Sequence, residues 1–349
     1  MTDLELTWDQ LKERSYFGRP HVVILGAGAS LAAFPSGDRF GNLLPLMNNL
    51  PEVLGLTAAL KKEGLDLERG FEDIYGELAA NPNLADLKRT VEERVSEYFA
   101  GLRLPDEPTI YDYLVLSLRE KDYIATFNWD PFLYYACWRN AEIAKLPSIM
   151  YLHGCAVVGH CLAHRKMGLN GTRCSQCGTI FTPTRLLYPV RDKNYKSEAF
   201  IDVQWRSLQD AMKSAWLFTV FGYSAPASDA AAIELLSQAW GTSTQRELEE
   251  IEIIDVRPEE DLANSWSRFI HTHHYRTTND YFSSLLGTFP RRTCEAMWEQ
   301  NMEAKFLEYT SVPKFGSTKE LQEWMARIAA YEKEELTSEC TGHEKAPCP

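Results

Sequence analysis

Two stretches of this chain hold residues that do chemistry, at spacings which that chemistry requires. In the first, Cys161-x-x-His164 is followed by Cys174-x-x-Cys177, and the second pair runs into Gly178. Paired thiolate and imidazole ligands of this kind fit a tetrahedral structural zinc site. The gap between the pairs is short for such a site, and Cys155 and His160 stand near enough in sequence to replace one ligand. The alternative is a loop of reduced, unpaired cysteines. In the second stretch, Gly26-Ala27-Gly28-Ala29-Ser30 follows the apolar run HVVIL. Glycines in such a turn let the backbone approach a pyrophosphate, and the helix that follows favours its charge. The third glycine of the dinucleotide pattern is replaced, and no lysine follows to make a Walker loop. A bare strand–helix turn is the competing reading. On the dinucleotide reading, Gly28→Val blocks the ligand and spares the fold.

Polar residues also end the other apolar runs. KDYIATFNWD ends in Asn128 and Asp130, SIMYLHG in His153, WLFTVFGYS in Gly222 and Ser224, and IEIIDVRP in Asp255. A carboxamide can bind a hydroxyl or a water, and a histidine of ordinary pKa can take a proton near neutral pH. Each residue alone has a structural alternative. Asn128 or Asp130 can be a helix N-cap, His153 a satisfied core histidine, and Asp255 the end of a strand. Convergence is the stronger argument, because ligands of doubly wound sheets sit outside the carboxyl ends of the strands.

The elements that must position these residues alternate. Helices are expected in PDEPTIYDYLVLSL, entered through Pro108, in PFLYYACWRNAEIA with Pro131 in its first turn, and in SEAFIDVQWRSLQDAMKSA, DAAAIELLSQAW and NDYFSSLLGTF. RFIHTHHY is expected as a sixth, short strand; HTHHY, with His271, His273 and His274, alternates along it and reads as an edge or surface strand rather than a metal site. Alternation of this kind implies an α/β fold, a Rossmann-like parallel sheet with helices on both faces. Residues from about 42 to 105 read as a helical insertion, and residues from about 155 to 182 as a small zinc-binding module. The catalytic domain is expected over 1–290, and a helical extension with a frayed end over 291–349. The basic, polar stretch YPVRDKNYK is a lid, a subunit contact or a solvated loop.

Composition narrows the classes. The 349 residues are 45% hydrophobic, enough for a full core, and the net charge of -13 argues against broad nucleic-acid binding. No apolar run approaches the ~20 residues of a membrane span, and the acidic, amphipathic N-terminus is not a secretory signal. Eight scattered cysteines in a chain of this size suit a reduced, cytoplasmic setting.

GAGAS, TFNWD, LHG and FGYS occur in the order, and near the spacing, of the sirtuin motifs, and over Val22 to about Leu286 the chain resembles that family. Sirtuins carry a GAG loop, a T-Q-N-x-D turn, an H-G pair followed by a zinc module, and a G-[TS]-S turn. The details are closest to the sirtuin-like proteins of bacterial anti-phage defence. The G-I-P-D-F-R segment of deacylases is replaced here by Ala29 to Pro35 with scattered Asp38, Arg39 and Phe40, and Phe127 stands where deacylases have glutamine. The resemblance implies NAD as a substrate and a structural Zn2+ held by Cys161, His164, Cys174 and Cys177. It implies Gly26, Ala27, Gly28, Ala29, Ser30, Gly222, Ser224 and Asp255 on the dinucleotide, and Asn128, His153 and Asp130 in catalysis. The expected activity is hydrolysis of NAD to nicotinamide and ADP-ribose, with a homo-oligomer or a separate sensor or ATPase partner as restraint. The alternatives are an NAD-dependent deacylase or ADP-ribosyltransferase, or a non-catalytic sensor of NAD or ADP-ribose.

Overall fold

The computed structural model describes residues 18–190, 195–226, 229–246, 248–270, 274–304 and 311–341, with side chains to residue 330. The expected N-terminal amphipathic segment, the centre of YPVRDKNYK, His271 to His273 and the last eight residues lie outside the described residues.

The first strand, β1 (His21–Leu25), is a β-branched run buried throughout. Its side chains alternate between two cores: Val23 and Leu25 enter one, Val22 and Ile24 the other. A strand apolar on both faces needs cover on both faces, which a parallel sheet with crossover helices supplies. β2 (Tyr123–Thr126) and β3 (Ser148–Tyr151) follow, and then a separate antiparallel sheet of β4 (Val158–Cys161), β5 (Lys166–Leu169) and β6 (Thr182–Pro183). The main sheet is completed by β7 (Leu217–Phe221), β8 (Glu250–Ile254) and β9 (Tyr275–Thr278). Its order is β3-β2-β1-β7-β8-β9 and every neighbouring pair is parallel. The chain starts at the centre, winds out to β3, and returns to β7 beside β1. That reversal opens a crevice at the carboxyl ends of β1 and β7.

Helix α1 (Ala27–Ala33) leaves β1 directly. The insertion is helical as expected, with α2 (Leu50–Val53), α3 (Thr57–Lys62), α4 (Gly70–Ala80) and α5 (Ala85–Gly101). Together with α6 (Ile110–Ser117) and α7 (Phe132–Asn140) it covers one face of the sheet. Helix α6 starts at a capping box in which Thr109 and Asp112 satisfy each other's backbone amides, one residue later than Pro108 suggests. Asp112 also accepts from Arg139 and Asn140, which ties α6 to α7. The other face is covered by α8 (Ala199–Ser214), α9 (Ala230–Trp240) and α10 (Glu259–Ser265).

Two expectations about local structure shift. The sixth strand is Tyr275–Thr278 at the sheet edge, and the RFI segment before it is a turn that drives Phe269 into the core. NDYFSSLLGTF is not one helix. Asp280 caps a 3-10 turn over Tyr281–Ser283, and Ser284 then caps a new helix, α11 (Leu285–Thr288). Two short polar side chains that each satisfy the amide three residues on break the run into two turns. Beyond it, α12 (Thr293–Met302) buries Cys294, Ala296 and Met297 in a third cluster with Trp216, Leu217, Leu285 and Phe289, and α13 (Thr318–Thr341) returns to the first face. There Leu321 and Met325 are buried, and the Phe315 amide donates to the Tyr113 hydroxyl at 2.7 Å. Among the described residues no helix is long and apolar enough to cross a membrane.

Candidate active site

Five of the six strands of the sheet pass a last hydrogen bond to a neighbour, and this sets the heights of the residues beyond. The Gly26 amide donates to Phe221, Phe127 to Leu25, Leu152 to Thr126, Gly222 to Ile254 and Asp255 to Thr278. The residues that follow these bonds rim a cleft of about 550 Å3 at the crevice between β1 and β7. Gly26, Ala27, Gly28, Asn128, His153, Gly222, Ser224 and Asp255 all line it. Ala29, Ser30 and Asp130 do not; they are buried behind its wall.

The glycines of the first turn act mainly on each other's loops. The Gly28 amide donates to the Gly222 carbonyl at 2.9 Å, and the Ala29 amide to Gly26 at 3.0 Å. A side chain on Gly28 would meet the Gly222 backbone at 2.8 Å, and one on Gly222, which has φ +61°, would meet the Ala29 amide nitrogen at 2.1 Å. The expectation that Gly28→Val spares the fold is therefore corrected: these glycines let two loops touch backbone to backbone. Gly28 has already spent its amide, so it does not offer that donor to a phosphate.

Asn128 is held by its nitrogen. Its Nδ2 donates to the Gly26 carbonyl at 2.9 Å and to Ser30 Oγ at 3.0 Å, with the Tyr111 hydroxyl at 3.3 Å. Asp130 sits one layer deeper, where its carboxylate accepts from Ser30 Oγ at 2.7 Å and from the Phe132 amide at 3.3 Å. Burial pushes the Asp130 carboxyl up to about 6, against the lowering effect of those two donors.

His153 is buried against aromatic rings. Phe127 meets it edge-on with centroids 4.8 Å apart, and its Nε2 lies 3.3 Å from the Tyr195 hydroxyl. Phe127 also stacks on Tyr223 at 4.2 Å, so one side of the cleft is an aromatic wall. The Tyr223 hydroxyl is anchored on Asp229 at 2.9 Å.

At the far rim Asp255 is paired. Arg257 reaches its carboxylate at 3.1 Å and lines the cleft itself. Arg257 is the single cation among the described lining residues, facing Glu72, Asp229 and Asp255. Reading strand ends alone passed over it, although its signal, a base two residues beyond an acid in DVRP, was present. Tyr111 left no signal: it stands on α6, in a run that reads as core. The insertion forms the remaining wall through Pro45 to Asn48, Glu72 and Phe99.

The four expected metal ligands come together. One ligand atom from each of Cys161, His164, Cys174 and Cys177 lies within 4.8 Å of the others. The Cys161 and Cys177 sulfurs are 3.8 Å apart, and His164 Nδ1 is 3.5 Å from Cys161 Sγ and 3.8 Å from Cys174 Sγ. A tetrahedral zinc about 2.3 Å from each sulfur holds the sulfurs about 3.8 Å apart, so the donor set and its spacing fit that ion. Cys155 and His160 stand outside the group: Cys155 Sγ lies 3.5 Å from the Asp130 carbonyl, and His160 stacks on Phe200. A closed site of four protein ligands supports the small sheet and supplies no open position for chemistry.

No family model matches the chain, and no curated protein matches it. Among solved structures it is similar to one from work on the mechanism and regulation of Sir2 enzymes, with 15% identity, TM-score 0.39, and coverage of 86% of this chain and 99% of that one. It is similar to a Sir2 homologue in complex with NAD, with 14% identity, TM-score 0.35, and coverage of 85% and 95% respectively. It is also similar to a variant Sir2 homologue in complex with ADP-ribose, with 16% identity, TM-score 0.39, and coverage of 87% and 100%.

Proposed function

We propose that the cleft binds NAD and that the chain hydrolyses its nicotinamide–ribose bond, releasing nicotinamide and ADP-ribose. One observation carries this reading: residues of all four sirtuin-like motifs, separated by most of the chain, line one cleft at the point where the sheet reverses. The bond to be cut breaks through an oxocarbenium-like state, as glycosidic bonds do. Nicotinamide leaves neutral with the bonding pair, so the protein's work is to orient the ribose and deliver a water. The Asn128 carboxamide, on the cleft wall, orients a hydroxyl or the water. His153 takes the proton that the water loses as its oxygen bonds to the ribose carbon. Arg257 faces the phosphates. Asp130 acts from behind the wall, through Ser30.

In a cytoplasmic setting such an enzyme depletes NAD in bacterial anti-phage defence, restrained by self-assembly or by a sensor or ATPase partner. The experiment is incubation of the purified chain with NAD alone. Nicotinamide and ADP-ribose in equal amounts support the proposal. Product only after addition of an acyl-lysine peptide or a protein acceptor refutes it in favour of transfer, and binding without product in favour of sensing.

A further inference from the structure

We propose that Tyr111 is a positioning residue: together with Ser30 and Asp130 it fixes the Asn128 carboxamide so that its carbonyl oxygen, and not its amide, is the group offered to the cleft. The proposal rests on the reading of Asn128 given above. The Gly26 carbonyl can only accept, so the atom of Asn128 at 2.9 Å from it is the nitrogen. The second amide hydrogen points between Ser30 Oγ at 3.0 Å and the Tyr111 hydroxyl oxygen at 3.3 Å. A serine hydroxyl has one proton and two lone pairs. Asp130, a carboxylate 2.7 Å away, takes the proton. The lone pairs then receive Asn128 and, at 2.7 Å, the Tyr111 hydroxyl. Every site on Ser30 is filled, and each partner forces the role of the next.

Tyr111 does not line the cleft; it is 2% exposed. Its ring is packed against Phe34 and Phe132, with centroids 6.1 Å away in each case, so the hydroxyl is fixed by the core and not by a ligand. Without that hydroxyl, one lone pair of Ser30 is orphaned where water does not reach, Ser30 keeps two of its three partners, and Asn128 loses the Tyr111 oxygen 3.3 Å from its nitrogen, so the carboxamide is held less firmly. The consequence for ligands is a selection by hydrogen-bond sense. An Oδ1 that only accepts binds a ribose hydroxyl or a water, and a water that donates to it keeps a lone pair for bond formation.

The test is a cycle of Tyr111→Phe, Asn128→Ala and the double variant in the intact chain. It is read by nicotinamide release from NAD and by the side-chain amide signals of protein labelled with 15N-asparagine. Tyr111→Phe is expected to lower kcat about tenfold, to leave KM within about twofold, and to cause no further loss in the Asn128→Ala background. The amide pair that disappears in Asn128→Ala is expected to shift or broaden in Tyr111→Phe while the other asparagine pairs stay. Equal losses from Tyr111→Phe in both backgrounds, or an unmoved Asn128 pair, overturn the proposal. Wild-type turnover in Asn128→Ala would instead remove the reading of Asn128, and the proposal with it. If the wild-type chain releases no nicotinamide, the amide signals decide alone.

Discussion

The amide of Gly28 donates to the carbonyl of Gly222 at 2.9 Å, and no atom of a side chain fits between the two residues. This contact joins the loops after the two central strands, and both loops line the cleft. Gly222→Ala forces a side chain onto a residue with φ +61° and onto the Ala29 amide. The variant is expected to lose about 3 kcal/mol or more of stability, backbone strain alone contributing of order 1–3. Gly28→Val is expected to behave similarly. Urea unfolding measures both, and melting indistinguishable from wild type would mean that the loops are not in contact.

The three cysteines and one histidine of the small module predict about one zinc per chain. Cys174→Ser combined with Cys177→Ser removes two of the four ligands, and the doubly substituted protein is expected to lose the metal and its soluble fold. Metal analysis of freshly purified wild-type protein checks the first statement; a zinc content near zero contradicts it.

At the opposite end of the sheet, Thr219 Oγ1 lies 2.7 Å from His21 Nε2 and 3.3 Å from Glu252 Oε2. Burial, with Lys121 nearby, lowers His21 to about 3, and burial raises Glu252 to about 7. His21 is folded in its neutral form, so its contribution is present above its ordinary 6.5 and is lost as pH falls toward 3. Glu252 has the opposite sign: the folded state keeps a proton that the unfolded state releases, so stability falls as pH rises from 4.5 to about 7. Glu252→Gln removes that fall. The stability of the variant relative to wild type is expected to grow across this window, by up to about 3 kcal/mol. Urea unfolding at the two ends of the window tests it, and a constant difference would refute it.

Arg257 is the cleft's cation, and its partner Asp255 holds it at the rim. Arg257→Ala is expected to weaken NAD about tenfold, the scale of one charge-assisted hydrogen bond. The loss should appear in KM and in direct titration and leave kcat nearly unchanged. A fall in kcat with unaltered binding would assign Arg257 to the reacting end instead.

Much of this arrangement was legible in the sequence because parallel strands buried on both faces are continuous apolar runs, and their ends are marked by abrupt polarity. That contrast located Asn128, His153, Gly222 and Asp255. The four candidate metal ligands were legible because metal ligands come as close pairs. What escaped depends on pairs distant in sequence. Gly28 meets Gly222 only after the sheet forms, so a spacing that suits phosphate could not reveal a loop contact. Tyr111 is indistinguishable by pattern from the apolar residues beside it on α6, and only its contacts with Ser30 and Asn128 identify its role. The edge strand Tyr275–Thr278 begins beyond the expected RFI segment, because an edge strand carries no apolar run to mark its start.

Asn128 and His153 reach one cleft from the ends of neighbouring strands, and their proposed role is to cut NAD with water. Its most direct test is nicotinamide release from NAD alone by wild type, Asn128→Ala and His153→Ala, without acyl peptide and with any required activator present. NAD binding by each variant is titrated in parallel. Release by the wild type is expected, with near-normal binding by both variants and turnover lowered by roughly 10²–10⁴-fold in each, the contribution of a positioned acid or base. Release at the wild-type rate by both variants would contradict it and leave these two residues as caps of their strands.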